Sequence, residues 1–339
     1  MKKRTLLIVI AIAVCALAGG VIYEYAGPRG GTAYGIVMGS DSSVRAYRVS
    51  DGKCASALSA AEELEGLISR KLPSSVISVL NAEGKAELPK EVLEILNRSL
   101  DVCRNSGGAL DVTMGAVSDL WDFDSGSPRL PGDELPEALA AVGYEKLSVD
   151  GDTVTLGKGQ VLDLGAVGKG AACETAISCL RGAGSSGAVV QIGGSVGFFG
   201  KNRNSDDRAW HIGIRDPQKG ANDVCAVFDL DEGYFSTSGN YEKRFVEDGV
   251  AYWHILDRGT GYPARAGLMS VSVYCVDGLL SDALSTACFV LGSEDSLPLL
   301  DAYGAEAMFI TDGGVCLVTP GLADRVRLSG DAYTIEYLN

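Results

Sequence analysis

Histidine is almost missing from this chain of 339 residues, which contains only His211 and His254. A zinc site built from several imidazoles is therefore excluded. Basic residues are also scarce, with 29 Lys and Arg against 44 Asp and Glu and a formal net charge of −15. Nucleic acid is a poor candidate for the main partner, because its phosphates are bound by a concentrated basic surface. A nucleotide cofactor is still allowed, since it needs only a local site.

The nine cysteines include no C-x-x-C pair, which argues against a thiolate metal cluster. Eight remain beyond the N-terminal segment, and the chain is far longer than domains stapled by disulfides. We expect most of them to be small buried hydrophobic residues. Hydrophobic residues make up 46% of the chain and charged residues 22%, which predicts a folded protein rather than a disordered one.

The N-terminus has the pattern of an export signal. Lys2, Lys3 and Arg4 precede an uncharged apolar stretch from Thr5 to Tyr23. An A-x-A cleavage site at residues 16–18 favours a removed signal peptide, whereas the length of the apolar run suits a retained membrane anchor. Lipidation at the cysteine of this segment is the weaker alternative. Residues 1–27 are therefore predicted to be a signal or anchor with the start of a linker, and the rest of the chain to be exported.

Helical and strand periods are mixed along the remaining chain. Apolar spacing predicts helices at about 58–68, 89–104, 169–181 and 281–291, and strands at 153–156, 188–192, 211–214, 224–230, 270–276 and 307–311. Because this order is not a regular strand–helix alternation, an α+β fold is favoured over a doubly wound sheet.

The segment VLDLGAVGKG, residues 161–170, is predicted to be a short strand, a glycine-rich turn and the start of a helix that carries Lys169. Exposed backbone N–H groups and the positive end of a helix suit a phosphate. The spacing matches neither a Walker loop nor G-x-G-x-x-G. By itself, the segment is equally compatible with a tight turn and a solvated Lys169.

Asp282 and Thr286 lie four residues apart in a helix that Ser281 is predicted to cap and Gly292 to end. A carboxylate and a hydroxyl on one helix face suit a hard cation such as Mg²⁺, completed by carbonyls, water and phosphate. The alternative is that Asp282 only interacts with the helix dipole and Thr286 is simply polar.

His254 precedes a Gly/Pro turn and has Asp257 nearby, so a general base or a substrate-orienting group is one interpretation and an ordinary strand histidine the other. His211 lies in an alternating strand, where a structural role is expected. The segment GGSVG at 193–197 matches G-x-S-x-G, but no helix start follows Ser195, so a serine hydrolase is not favoured.

Together and in this order, these motifs resemble the ApbE family of FAD:protein FMN transferases over about residues 34–320. The matching blocks are MGS at 38–40, SVLN at 78–81, DVTMG at 111–115, LWDF at 120–123, DLGAVGKG at 163–170, IGG at 192–194, SGNY at 238–241, HILDRGTGYP at 254–263 and DALSTA at 282–287. The last two blocks are the most specific.

The resemblance implies an α+β fold of the ApbE type, T-fold-like, with largely antiparallel sheets packed with helices. One flavin transferase domain, in one or two lobes, is expected over residues 28–335. The implied reaction needs FAD and Mg²⁺ and transfers the FMN phosphoryl moiety to a Thr or Ser hydroxyl of an acceptor protein, with release of AMP. The expected acceptor is an exported electron-transfer protein with a Ser/Thr-Gly-Ala-Ser/Thr motif, and the enzyme would be attached to the outer face of a bacterial cytoplasmic membrane.

Site residues are carried over from the same resemblance. The implied metal ligands are Asp282, Thr286 and the backbone carbonyl of Ala166. The implied FAD contacts are Met38, Trp121, Asp122, Phe123, Asp163, Lys169 and Thr260. His254 is the candidate for activating or orienting the acceptor hydroxyl.

Three positions depart from the family pattern. Ser195 stands where Asn is usual, Arg258 stands where Pro is common, and residues 69–74 lack an expected Tyr, which puts an aromatic flavin contact there in question. Two other functions also stay open: Mg²⁺-dependent hydrolysis of FAD to FMN and AMP, and an exported carrier that holds FAD without chemistry. Retention of Asp282 and Thr286 argues against the carrier, because storage needs no metal aimed at a pyrophosphate.

Overall fold

The computed structural model describes residues 30–124 and 126–338. The predicted signal or anchor at residues 1–27 lies outside these ranges. Within them, no helix combines the length and apolar character needed to cross a bilayer. The extent of the predicted domain, 28–335, stays a prediction.

Seventeen strands are numbered here along the described chain. They are β1 (Gly31–Val37), β2 (Ser40–Tyr47), β3 (Lys85–Glu87), β4 (Ser148–Asp150), β5 (Thr153–Thr155), β6 (Gly187–Ile192), β7 (Ser195–Gly200), β8 (Trp210–Arg215), β9 (Val224–Leu230), β10 (Gly233–Gly239), β11 (Arg244–Glu247), β12 (Val250–Trp253), β13 (Leu268–Cys275), β14 (Glu306–Thr311), β15 (Val315–Val318), β16 (Val326–Leu328) and β17 (Thr334–Tyr337).

Eight α-helices accompany them in the same ranges. They are α1 (Asp51–Ile68), α2 (Val76–Glu83), α3 (Lys90–Asn105), α4 (Gly115–Trp121), α5 (Leu135–Ala141), α6 (Gly165–Gly182), α7 (Gly278–Leu291) and α8 (Leu297–Tyr303).

The largest sheet has nine strands in the order β1-β2-β6-β7-β10-β13-β14-β15-β17. All neighbours pair antiparallel except β15 and β17, which are parallel. This is the expected α+β architecture with largely antiparallel sheets, so the predicted fold class is confirmed. Successive side chains of a strand point to opposite faces, and both faces of this sheet are covered.

One face of the sheet packs against helices and the other against a smaller sheet. Val271, Val273 and Phe309 belong to the core beneath α1, α6 and α7. Met308 and Ile310, which alternate with Phe309 on β14, pack instead with the three-stranded sheet β16-β9-β8. The helical face is the one that carries the candidate site.

The turn between β1 and β2 places two residues in the left-handed region, Met38 at φ 52° and Gly39 at φ 64°. A two-residue hairpin turn favours this conformation because it matches the right-handed twist of the strands. The amide of Met38 also donates to Oε2 of Glu65 in α1 at 2.7 Å, which fixes the turn against that helix.

Helix α6 begins earlier than its sequence predicts. We expected a glycine-rich turn up to Lys169, but the helix starts at Gly165, and Val161 forms only an isolated bridge with Met114. Gly170 serves helix packing instead. A Cβ at Gly170 would lie 2.0 Å from the carbonyl oxygen of Gly278 in α7, so only glycine permits this approach of the two helices.

The predicted cap of α7 is also wrong. Asp277, not Ser281, is the N-cap, and its carboxylate accepts from the amide of Leu280 at 2.8 Å. Ser281 lies one turn inside, where its hydroxyl contacts Ser236 Oγ at 2.7 Å. Gly292 ends the helix as expected.

The six strands predicted from apolar spacing are present, each within two residues of its expected bounds, whereas the short strand predicted at the start of residues 161–170 is wrong. The cysteines also follow prediction: all eight in the described ranges are free, and seven are buried. Burial raises the pKa of Cys103 and of Cys288 to about 12, so these thiols stay protonated and behave as small hydrophobic groups.

Candidate active site

A cavity of about 650 Å³ opens beside the C-terminal end of α1 and the N-terminal end of α6. Loops and turns form much of its wall: the β1–β2 turn, the segment after α1, the loop before β11 and the loop after β12. The rest of the wall comes from residues 109–124, the start of α6, the end of β10 and one side of α7. We call the part formed by Gly168, Lys169, Asp282 and Thr286 the inner wall, and the part formed by Lys71, Asp124 and Lys243, together with the adjoining Asp119, the mouth.

Asp282 is the most enclosed charged group of the inner wall, with its side chain only 4% exposed. Its Oδ2 accepts from the backbone amide of Gly170 at 2.9 Å, and Lys169 Nζ lies 3.9 Å from Oδ1. Burial raises the pKa of this carboxyl, although Lys169 and the nearby donors partly offset the effect. A cation bound beside this buried carboxylate would strongly stabilise its charged form.

Several hydroxyl side chains lie around the inner wall. Thr286, one turn along α7, has its Oγ1 3.3 Å from Ser238 Oγ, which in turn lies 2.8 Å from Ser285 Oγ. Ser195, which departs from the family pattern, is buried and accepts from Ser236 Oγ at 3.0 Å. The Ser195 hydroxyl also hydrogen-bonds the Asp282 carboxylate, which offsets part of the rise in the pKa of Asp282.

Asp163 is engaged on both oxygens at the entrance of α6. Oδ1 accepts from the amide of Gly165 at 2.9 Å, and Oδ2 accepts from Arg70 Nε at 2.6 Å. Arg70, in the stretch that lacks the expected tyrosine, is only 8% exposed and also donates to Asp119 Oδ1 at 2.8 Å. Asp163 thus fixes a guanidinium group in the cavity wall.

His254 follows β12 directly and lines the cavity. Its Nδ1 is buried and has no hydrogen-bond partner among the residues that the structure describes. Burial and the charges of Lys243 and Lys169 lower the pKa of His254 to about 4. The imidazole is therefore neutral at pH 7 and free to accept a proton or hydrogen bond. His211, by contrast, lies on β8 outside the cavity wall, with Nδ1 2.5 Å from Asp229 Oδ1.

The structure brings most of the predicted FAD contacts together. Five of the seven line the cavity: Met38, Asp122, Phe123, Asp163 and Lys169.

Trp121 and Thr260 do not line the cavity. Trp121 is fully buried, donates from Nε1 to the carbonyl oxygen of Gly261 at 2.8 Å, and stacks on Phe123 with ring centroids 5.6 Å apart. It positions Phe123 rather than facing the cavity itself. Thr260 is exposed in the turn that begins at Asp257. A single motif therefore contains both wall residues and residues that support the wall.

Several charged residues of the wall were missed by sequence interpretation, among them Glu65, Asp124 and Lys243. Glu65 follows the helical pattern of α1 as an ordinary solvated residue, and Asp124 and Lys243 lie in polar loops. Nothing in their local sequence distinguishes them. Only the fold shows that Lys243 Nζ lies 2.7 Å from Asp124 Oδ1 at the mouth.

A magnesium ion suits the donors of the inner wall. No group of three or more His, Cys, Asp or Glu side chains in the described ranges could hold a metal ion. The predicted ligands are instead one carboxylate, one hydroxyl and one carbonyl, and Mg²⁺ often takes one or two carboxylates and keeps waters and phosphate oxygens for the rest. The Gly170 amide donates to Asp282. Ala166, whose carbonyl is the third predicted ligand, lies in the cavity wall near the start of α6.

Comparison with known proteins identifies the family. The family model described as the ApbE family matches residues 38–309. The chain belongs to the ApbE family. The FAD:protein FMN transferase of Treponema pallidum is 31% identical over 99% of this chain and 100% of that protein. A protein of the same name from Rhodobacter capsulatus is 34% identical over 75% of this chain but only 49% of that longer protein.

Solved structures agree with this assignment. The ApbE protein of Thermotoga maritima has a TM-score of 0.77 and 29% identity, covering 85% of this chain and 96% of that one. The flavinyl transferase ApbE of Pseudomonas stutzeri has a TM-score of 0.76 and 28% identity, covering 87% and 96%. The predicted family is confirmed, and this ApbE-family chain is a transferase.

Proposed function

We propose that this protein is a Mg²⁺-dependent FAD:protein FMN transferase, which attaches FMN through a phosphoester to a Thr or Ser hydroxyl of an exported acceptor and releases AMP. The observation that carries the proposal is the inner wall. It combines a buried carboxylate, Asp282, with Thr286 and Lys169, and the neutral His254 lines the same cavity. A cavity of about 650 Å³ lies in the range that nucleotide-sized ligands occupy.

The charge of the wall supports a divalent cation. Seven acidic and four basic side chains line the cavity, so its formal charge is negative before any substrate enters. A pyrophosphate is itself anionic and needs local neutralisation there. Bound Mg²⁺, held by Asp282, Thr286 and the Ala166 carbonyl, would supply that positive charge and polarise the phosphoryl group. Lys169, at the N-terminal end of α6, adds a second positive charge.

His254 has the properties needed at the acceptor side. We propose that the imidazole of His254 accepts the proton of the acceptor hydroxyl as that oxygen bonds to the phosphorus of the FMN half. The bond from this phosphorus to the bridging oxygen breaks, and AMP leaves with that oxygen. Only the neutral imidazole can accept this proton, and the lowered pKa keeps it neutral at pH 7.

The acceptor and the location belong to the same proposal. The basic and apolar N-terminal sequence supports export and attachment to the outer face of the cytoplasmic membrane. An exported acceptor would then meet the enzyme in the same compartment. FAD and this acceptor are the proposed partners, with no role for nucleic acid.

The test uses the purified full-length protein with FAD, MgCl₂ and an FMN-acceptor domain that carries a Ser/Thr-Gly-Ala-Ser/Thr motif. Intact mass of the acceptor and AMP in solution are measured for the wild type, Asp282→Ala and a control, Asp229→Ala. Asp229 is 37% exposed and lies outside the cavity. We expect one added FMN with the wild type and the control, and at least a thousandfold slower transfer with Asp282→Ala.

Other results would select the alternatives. FMN and AMP beside an unmodified acceptor would favour hydrolysis. FAD that binds and stays intact would favour the carrier. Equal transfer by Asp282→Ala and the wild type would contradict the assigned metal site.

A further inference from the structure

A second lysine, Lys243, reaches the cavity from a different element than Lys169. It stands in the loop between β10 and β11, four residues after Gly239. Both lysines line the cavity that contains His254. Their positive charges both lower the pKa of His254, and Lys243 has the larger charge effect.

The backbone of Lys243 is strained. Its φ of 38° lies in the left-handed region, where an L-residue with a side chain is disfavoured. Positive φ is not confined to the cavity, because Met38 and Asp122 line it whereas Arg48, Arg208 and Asp248 do not. Strained backbone persists where the surrounding structure over-determines it. Here it aims the only cationic side chain of this loop toward the cavity.

Asp124, the ion-pair partner of Lys243, also pairs with Lys71. Asp124 Oδ1 lies 2.7 Å from Lys243 Nζ, and its Oδ2 lies 3.5 Å from Lys71 Nζ. Although burial alone would raise it, these two lysines lower the pKa of the Asp124 carboxyl. Lys71 also lies 3.6 Å from Asp119 Oδ1, so the four charges of the mouth balance, and an incoming anion would have to take Lys243 from Asp124. The Lys243 side chain is 55% exposed, and an exposed ion pair is weak enough to exchange partners.

We propose that Lys243 binds a phosphate of the FAD pyrophosphate beside His254, and that Asp124 is the positioning residue that holds Lys243 before substrate enters. The proposal rests on the proposed function, because it adds a residue to the same transfer site. Lys169 and Lys243 then contact the pyrophosphate from two elements, α6 and the loop before β11.

The test measures the dissociation constant of FAD by the change in flavin fluorescence, with Mg²⁺ present and no acceptor. The full-length wild type is compared with Lys243→Met, Lys243→Arg, Asp124→Asn and the double variant Lys243→Met/Asp124→Asn. The matched control is Lys219→Met. Lys219 is 56% exposed and pairs with one aspartate, Asp216, at 3.0 Å, but it lies outside the cavity.

We expect Lys243→Met to weaken FAD binding about tenfold, the loss of one charge-assisted contact. Lys243→Arg should recover most of this loss, and Lys219→Met should bind FAD like the wild type. The double variant decides between two roles. If Lys243 contacts phosphate, FAD binding by the double variant stays weak. If Lys243 only neutralises Asp124, FAD binding by the double variant recovers, which would overturn the proposal.

An unchanged dissociation constant of FAD for Lys243→Met would overturn the proposal as well. A wild type that binds FAD but never modifies an acceptor would contradict the proposed function while leaving this binding comparison readable. A wild type that does not bind FAD would overturn both. Thermal unfolding of each variant identifies any change that comes from misfolding.

Discussion

The inner wall and the mouth of the cavity both contain lysine–aspartate pairs, but in different surroundings. At the mouth, Lys71, Asp119, Asp124 and Lys243 are all between 45% and 55% exposed. At the inner wall, Asp282 is 4% exposed and is held by a backbone amide. Water screens the first set and hardly reaches the second.

This difference separates two uses of charge. Ion pairs at the mouth cost little to break, so their side chains can change partners when an anion enters. The inner wall is built by close helix packing, and its carboxylate is costly to bury without a cation. Substitutions should therefore have large effects at the inner wall and small effects on stability at the mouth.

The largest expected effect on stability is that of Gly170→Ala. The new Cβ would lie 2.0 Å from the Gly278 carbonyl oxygen and 2.7 Å from Asp282 Cβ, so α6 and α7 must separate. We expect a loss of about 3 kcal/mol in the free energy of unfolding, measured by urea denaturation. The control is Gly182→Ala at the end of the same helix, where a Cβ meets nothing within 4 Å. Similar losses for both would mean that the helix approach is not the constraint.

Asp282→Asn should act in the opposite direction on stability. The folded state raises the pKa of Asp282, so between its unfolded value of 3.8 and the higher folded value the folded protein holds more protons than the unfolded one. Stability from this group therefore falls as pH rises through that window. Without Mg²⁺ and FAD, we expect Asp282→Asn to be more stable than the wild type at pH 7, by roughly 1–2 kcal/mol.

The gain of Asp282→Asn should shrink as the pH is lowered toward 4, which denaturation at several pH values would measure. Asp277→Asn on the same helix is the control. Asp277 caps α7 and pairs with Arg98, so its substitution should destabilise. A less stable Asp282→Asn at pH 7 would show that the hydrogen bond from Gly170 outweighs the burial of charge.

The smallest expected effect is that of Asp119→Asn at the mouth. Asp119 is 49% exposed, and Arg70 keeps its second partner, Asp163, at 2.6 Å. We expect a loss of about 0.5 kcal/mol at low salt and none in 0.5 M NaCl, because exposed pairs are screened. A loss above about 2 kcal/mol that persists in salt would remove the contrast between mouth and inner wall.

Much of the site could be predicted, because its residues occur in short blocks whose order along the chain is visible. Asp163, Lys169, His254, Asp282 and Thr286 were all expected at one site, and all line one cavity. The blocks do not reveal which side chain of a motif faces inward. Trp121 and Phe123 are two residues apart, and only packing makes one a buried support and the other a wall residue.

Local pattern also determined the strands and the burial of the cysteines, because alternation and apolar runs reflect solvent exclusion directly. Tertiary structure alone decided the rest. Gly170 must be glycine because a second helix approaches it. Lys243 pairs with Asp124, which lies 119 residues earlier in the chain. Such contacts join distant segments, and neither a periodicity nor a local motif records which distant segment a residue will meet.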